Sequence, residues 1–274
     1  MKKKCPACQH EYEDTHRVCP FCGNPNSSFH SNDQMVRLHP VISFRLFLIG
    51  FFVFNIIGFF ISFIFSAYAA SAFGANKAAS GDFLKDVRID MFVNTISYCA
   101  IFVILLFAAR TSIPQLLKSF VMKNGYIAGL VGMAAIYLFG VLYGLLLDVL
   151  NINVTSNANE QSLDSVVKLF PVISLIVFAI IGPICEELTY RVGLFSFLHY
   201  RNRVLAYVLT IVIFSFIHFT VTSFEALLNE ILNLPFYAFT AFVLCYLYEH
   251  YGFAASTFTH VLNNTLSILI EVAK

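Results

Sequence analysis

Seven stretches of this chain, each 17 to 28 residues long, contain no Asp, Glu, Lys or Arg: 46–73, 91–109, 126–147, 169–185, 204–224, 231–248 and 251–270. A hydrocarbon core about 30 Å thick is crossed by roughly 20 residues of helix. In lipid every backbone N–H and C=O needs an internal partner, so stretches of this length read as membrane helices. The overall composition agrees: 12% of residues are charged, against roughly 25% in soluble domains. The net charge of +1 offers no basic field for nucleic acid, so no nucleic-acid partner is expected. Ten of the 33 charged side chains lie in the first 45 residues, which sets a polar head apart from the apolar remainder.

The Lys and Arg residues are unevenly shared between the two sides of these stretches. Twelve lie on the side of the N-terminus and five on the other (Lys77, Lys85, Arg88, Lys168 and Lys274). The positive-inside bias therefore predicts a multi-pass cell-membrane protein with a cytosolic N-terminus. Met-Lys-Lys-Lys could open a signal peptide, but Cys5-Pro-Ala-Cys8 follows where its apolar core should stand.

The head carries two C-x-x-C pairs, Cys5/Cys8 and Cys19/Cys22, with ten residues between them. Two such turns can present four thiolates tetrahedrally to a structural Zn²⁺. Pro after each first Cys and Gly23 after the last suit tight knuckles. A disulfide is the competing reading, disfavoured by a reducing cytosol. His10 and His16 could substitute as ligands, though four Cys already fill the shell. The segment resembles the short zinc ribbons that open many prokaryotic membrane proteins. Cys99, Cys185 and Cys245 read as small hydrophobes in apolar spans. The fold class expected is all-α, a polytopic membrane helix bundle of about seven spans preceded by a small cytosolic zinc ribbon. The expected divisions are ribbon 1–25, linker 26–45, N-terminal transmembrane spans 46–147 and a core 165–274.

Ionisable groups at membrane depth are functional candidates by default. In the last four spans these are Glu186, Glu187, Arg191, His218 and His260, with Asn264 as an uncharged companion. Glu187 and Arg191 stand at i and i+4 with the acid first, the favourable order for an ion pair on one helix face. Glu186 points about 100° away, which leaves it without that cation and makes it a candidate general base. The bland reading is a helix end solvated at the headgroups. His260 and Asn264 are again i and i+4 and share a face. A lone membrane histidine is more often a helix-to-helix hydrogen-bonding group than a catalyst. Three consecutive helices each carrying such groups favour one polar pocket, since each group alone would be unpaired in hydrocarbon. His218 and Glu186 can meet only if the fourth span continues past Arg191 as one helix, kinked or not at Pro183.

Glu186-Glu187-x-x-x-Arg191, Phe214-x-x-x-His218 and His260-x-x-x-Asn264, in this order on successive helices, resemble the CPBP family of intramembrane proteases. That family includes the CAAX prenyl endopeptidase and bacterial members linked to bacteriocin processing and self-immunity. The similarity covers roughly 169–270. The resemblance implies an intramembrane endopeptidase acting on a membrane-associated protein or peptide within the lipid bilayer. It implies Glu186 as general base acting with His218, His260 and Asn264 as holders of the oxyanion, and Glu187–Arg191 as a supporting ion pair. Within the family, Glu186, His218 and His260 could instead ligate a catalytic Zn²⁺; metal-free catalysis is favoured here. Many members read Arg-Gly where this chain has Arg191-Val192-Gly193. Outside the enzyme reading stand a non-catalytic scaffold or immunity protein pinned by the same cluster, and a transporter or proton relay, weakened by the lack of a repeat of spans.

Overall fold

The computed structural model describes residues 2–13, 19–24, 35–36, 38–73, 86–220 and 223–274; half of the expected linker and His16 lie outside them. At the N-terminus β1 (Lys2–Lys4) pairs antiparallel with β2 (Glu11–Glu13), Lys3 opposite Tyr12. The remainder is helical. The elements are α1 (residues 40–73), α2 (Val87–Ala109), α3 (Ile113–Lys118), α4 (Lys123–Val149) and α5 (Ala158–Leu169). They continue with α6 (Pro171–His199), α7 (Arg203–Phe216), α8 (Phe224–Tyr251) and α9 (Phe253–Ala273).

Helix α1 begins at Pro40, inside the segment expected to be linker. Pro suits the first helical position because its missing N–H has no partner to lose, and the His39 ring accepts the Val41 N–H at 3.3 Å. Just before it, Val36 and Leu38 are buried in the main core. The Tyr248 hydroxyl donates to the Val36 carbonyl at 3.1 Å, and the Met35 N–H to the Glu249 carbonyl at 3.2 Å. The chain is thus strapped to the end of α8, at the end of the bundle that the ribbon also meets, the ribbon face. Gly23 of the ribbon lies against Tyr200 on that same face, where a Cβ would overlap the tyrosine hydroxyl.

Among the described residues, five helices are long and apolar enough to cross a membrane: α1, α2, α4, α6 and most of α8. By this measure the seven expected spans are not reached. Helix α7 has 14 residues, about 21 Å at 1.5 Å per residue. Helix α9 has 21 residues but carries His260, Asn263 and Asn264 in mid-course. The break expected at Glu249 and His250 falls instead at Gly252, whose φ of +87° is open to glycine at no steric cost. Phe59, Phe60, Phe63 and Ile64 on α1 are exposed, as side chains facing acyl chains would be.

Helix α6 is one continuous helix from Pro171 to His199. Two π-helical segments, Leu175–Ile181 and Glu187–Phe195, flank an α-helical turn Gly182–Glu186. Such wide turns recur at functional sites. The continuity sets the depth of Glu186, which lies 13 residues from His199, about 20 Å along the axis. His218 lies 15 residues from Arg203, about 22 Å along α7 and its closing turn. Running in opposite directions from the ribbon face, the two helices bring both residues to similar depth. Close backbone packing locks α6 against α1: a Cβ on Gly193 would lie 2.7 Å from the Phe47 nitrogen. The glycine two places after Arg191 therefore has a packing reason in this chain.

Candidate functional site

Glu187 and Arg191 form the expected i,i+4 ion pair, 3.3 Å apart, with both side chains fully buried. The guanidinium also lies over the Phe214 ring, 4.3 Å from its centroid. His260 on α9 reaches both glutamates. Its Nδ1 is 2.9 Å from Glu187 Oε1, and its Nε2 is 3.6 Å from Glu186 Oε2. With Nδ1–H donated to Glu187, Nε2 is the ring atom turned toward Glu186.

Glu186, His218 and Asn264 line one cavity of about 650 Å³, together with Gly50 and Asn55 of α1, Asp90, Asn94 and Tyr98 of α2, and Asn159 and Ser162 of α5. Glu187 and Arg191 do not line it, so the glutamate pair divides into a closed member and one facing the cavity. His218 sits in the turn after α7, where its Nδ1–H donates to the Phe214 carbonyl at 2.9 Å. That bond leaves Nε2 as the free acceptor. The amphipathic helix α5 roofs the cavity on the face opposite the ribbon, and Ser162 Oγ donates to Asp90 Oδ2 at 3.0 Å.

Asn264 has a second engagement. The Gly182 N–H bonds the Val177 carbonyl five residues back. In that register the next carbonyl, Phe178, would meet the nitrogen of Pro183, which has no hydrogen. Asn264 Nδ2 donates to the Phe178 carbonyl at 3.0 Å and fills the gap. The proline in α6 and the asparagine in α9 are thus two halves of one interaction.

In the ribbon, the Sγ atoms of Cys5, Cys8, Cys19 and Cys22 all lie within 4.8 Å of one another and could hold a metal ion. The two knuckles repeat one geometry. The Gln9 N–H donates to the Cys5 carbonyl at 2.9 Å and the Gly23 N–H to the Cys19 carbonyl at 2.8 Å. Gln9 and Gly23 both have positive φ. The Cys5–Cys22 and Cys8–Cys19 sulfurs are each 3.5 Å apart, near the roughly 3.8 Å that tetrahedral Zn–S bonds of about 2.3 Å require. Crowding makes the thiols unequal. Burial works upward on Cys5, but the backbone N–H groups of Cys8 and Ala7 and the Cys22 thiol outweigh it and bring it down to about 6. On Cys8 the His10 backbone N–H works downward, yet Cys22, burial, Cys19 and Cys5 push it up to about 12. Four thiolates cannot share this volume without a cation. His10 stacks on Phe21 with its ring nitrogen 3.1 Å from the Cys8 carbonyl, turned away from ligand duty. Among the described residues, Glu186, His218 and His260 do not form such a metal-holding group.

Several residues of this framework were not foreseen. Tyr237 on α8 stacks on His218, centroids 4.6 Å apart and planes within 17°. Its hydroxyl donates to Glu160 at 3.0 Å. Glu249 is buried, not solvated at a hairpin end, and meets His199 Nε2 at 2.8 Å, Arg203 at 2.8 Å and the Tyr207 hydroxyl at 2.6 Å. The available signal was an acid inside an otherwise apolar helical run, the same signal that marked Glu186.

The fold and these sites define an all-helical polytopic membrane protein with a four-cysteine ribbon at its N-terminus. Residues 168–266, a little over a third of the chain, match the family model of type II CAAX prenyl endopeptidase Rce1-like proteins. Through that segment the chain is similar to the CAAX/CPBP protease family. It is also 25% identical over 144 residues to the UPF0177 protein YvdC of Lactococcus lactis subsp. lactis (strain IL1403), covering 52% of each protein. The chain therefore spans about half the length of that curated relative. No solved structure matches it significantly.

Proposed function

We propose that this protein is an intramembrane endopeptidase that uses water activated by Glu186 to hydrolyse a peptide bond in a membrane-associated protein or peptide. The observation that carries the proposal is the split of the glutamate pair: Glu186 faces a cavity shared with His218 and Asn264, whereas Glu187 is closed off with Arg191. A water between Glu186 and the free Nε2 of His218 would give its proton to the carboxylate as it attacks the carbonyl carbon. The developing oxyanion would be met from α9 by the second hydrogen of the Asn264 amide and, once the ring carries a hydrogen on both nitrogens, by His260 Nε2–H. Glu187 and Arg191 hold the other end of the His260 ring. A metal at Glu186, His218 and His260 would need those donors drawn together and His260 Nδ1 left on Glu187, so the metal-free route is the simpler one. The ribbon would carry structural Zn²⁺ and face the cytosol, in keeping with the Lys and Arg bias.

The scaffold alternative has one observation in its favour: Asn264 caps a backbone carbonyl, a purely architectural duty. The two diverge under Glu186→Gln, which keeps shape and removes the base. Membrane-fraction peptides from cells carrying the wild type or Glu186→Gln should differ in discrete cleavage products present only with the wild type. Identical peptide profiles, with the variant present at normal level in the membrane, would sink the enzyme.

A further inference from the structure

His218 is the proposed site residue with the least support from its own helix. Helix α7 ends at Phe216, and His218 lies in the turn beyond it. The bond from Nδ1 to the Phe214 carbonyl fixes one ring atom but not the plane of the ring. The plane is set by Tyr237, stacked on it from α8. Tyr237 is itself tied to α5: its hydroxyl donates to Glu160 Oε1 and accepts from Asn157 Nδ2, both at 3.0 Å. Asn157 caps α5 through the Glu160 N–H at 2.8 Å. Two turns away on α8, buried Glu230 accepts the Ala158 N–H at 2.8 Å and the Thr220 N–H at 3.3 Å. The start of α5 and the turn bearing His218 are therefore fastened to one face of α8. Residues Asn159, Ser162, Leu163 and Val166 of the same α5 line the cavity.

We propose that Tyr237 is a positioning residue for His218, and that Glu160 and Asn157 make its position depend on how α5 is seated over the cavity. This rests on the reading in which His218 orients the attacking water. Tyr237 would not touch substrate; it would keep the imidazole turned so that Nε2 points at the water beside Glu186. A peptide entering beneath α5 would then meet a His218 whose orientation is coupled to the roof it passes.

The test uses the full chain in lipid nanodiscs, with Tyr237→Phe, Tyr237→Leu, Glu160→Gln and the Tyr237→Phe/Glu160→Gln double variant. The first readout is ¹⁵N-histidine NMR, with the His218 signal identified by its loss in His218→Gln. Wild type should show a single Nδ1–H tautomer, and Tyr237→Leu a broadened or mixed one. The second readout is turnover of a peptide whose cleavage Glu186→Gln abolishes. Tyr237→Leu should lower kcat about tenfold with KM unchanged, as expected when an oriented group loses its alignment. Tyr237→Phe, which removes the tie, should lower it about threefold, Glu160→Gln, which only takes away its charge, by less, and the double variant no further than Tyr237→Phe. If Tyr237→Leu does not fold, the two milder variants and their double carry the test. An unchanged His218 signal in folded Tyr237→Leu overturns the proposal, as does wild-type kcat in the milder variants, or a loss confined to KM. Should no peptide depend on Glu186, the hydrolase reading falls, whereas the NMR comparison still decides the positioning of His218.

Discussion

Replacing Asn264 by Leu keeps the side-chain volume close to native and removes the amide that caps the Phe178 carbonyl. That carbonyl has no N–H opposite it because position 183 is proline. Leaving a buried acceptor unpaired costs about 1–3 kcal/mol. Phe178 and Asn264 both line the polar cavity, so water can partly replace the amide, and the expected loss is about 1–2 kcal/mol. Pro183→Ala returns an N–H at the register where the carbonyl waits. In the Pro183→Ala background the same Asn264→Leu change should therefore cost less, by about 1 kcal/mol, a coupling that only groups sharing a partner show. The four proteins of this cycle can be compared by reversible unfolding in bicelles, with helicity as the signal. Equal cost of Asn264→Leu in both backgrounds would refute the pairing of proline and asparagine. So would the absence of any cost in the proline background.

The buried pair offers a second test: Arg191→Met alone should destabilise by about 3 kcal/mol because it takes the cation from buried Glu187 and leaves it only the His260 hydrogen bond, whereas Glu187→Gln with Arg191→Met should recover most of that loss, both read by unfolding in the same bicelles. At the ribbon, metal content measured after dialysis should fall as pH is lowered. The metal displaces thiol protons, Cys8 resists ionisation up to about 12, and below about 6 even Cys5 regains its proton. Retention of the metal at a pH of about 4 would contradict thiolate ligation.

Much of the site was legible because helical spacing is a local property. Glu187 and Arg191 met as i and i+4, His260 and Asn264 project from one helix, and the requirement that α6 pass unbroken through both glutamates is met. The two C-x-x-C knuckles were equally plain, since their thiols converge within one short segment. What could not be read is which distant group completes each polar side chain. Glu249 is met by His199, 50 residues earlier, and Glu230 accepts the N–H of Ala158, 72 residues earlier. His260 is divided between the two glutamates, and Asn264 spends one amide hydrogen on a carbonyl that a proline elsewhere left bare. No periodicity carries that information.

The two helices that fall short as membrane spans fail for a reason tied to the site. Helix α9 is too polar in mid-course because it carries His260, Asn263 and Asn264. Helix α7 stops after 14 residues, and the turn that stops it puts His218 on the cavity wall instead of on a helix face. A histidine in lipid is tolerated only where protein or water satisfies it. Phe214, Tyr237 and the cavity do so here. The charge-free stretch that begins at Val204 is not one long helix, since α7 ends at Phe216. Charge-free runs mark α7 and α9, yet neither is among the five long apolar helices, because one ends at the cavity and the other carries the cavity's polar groups.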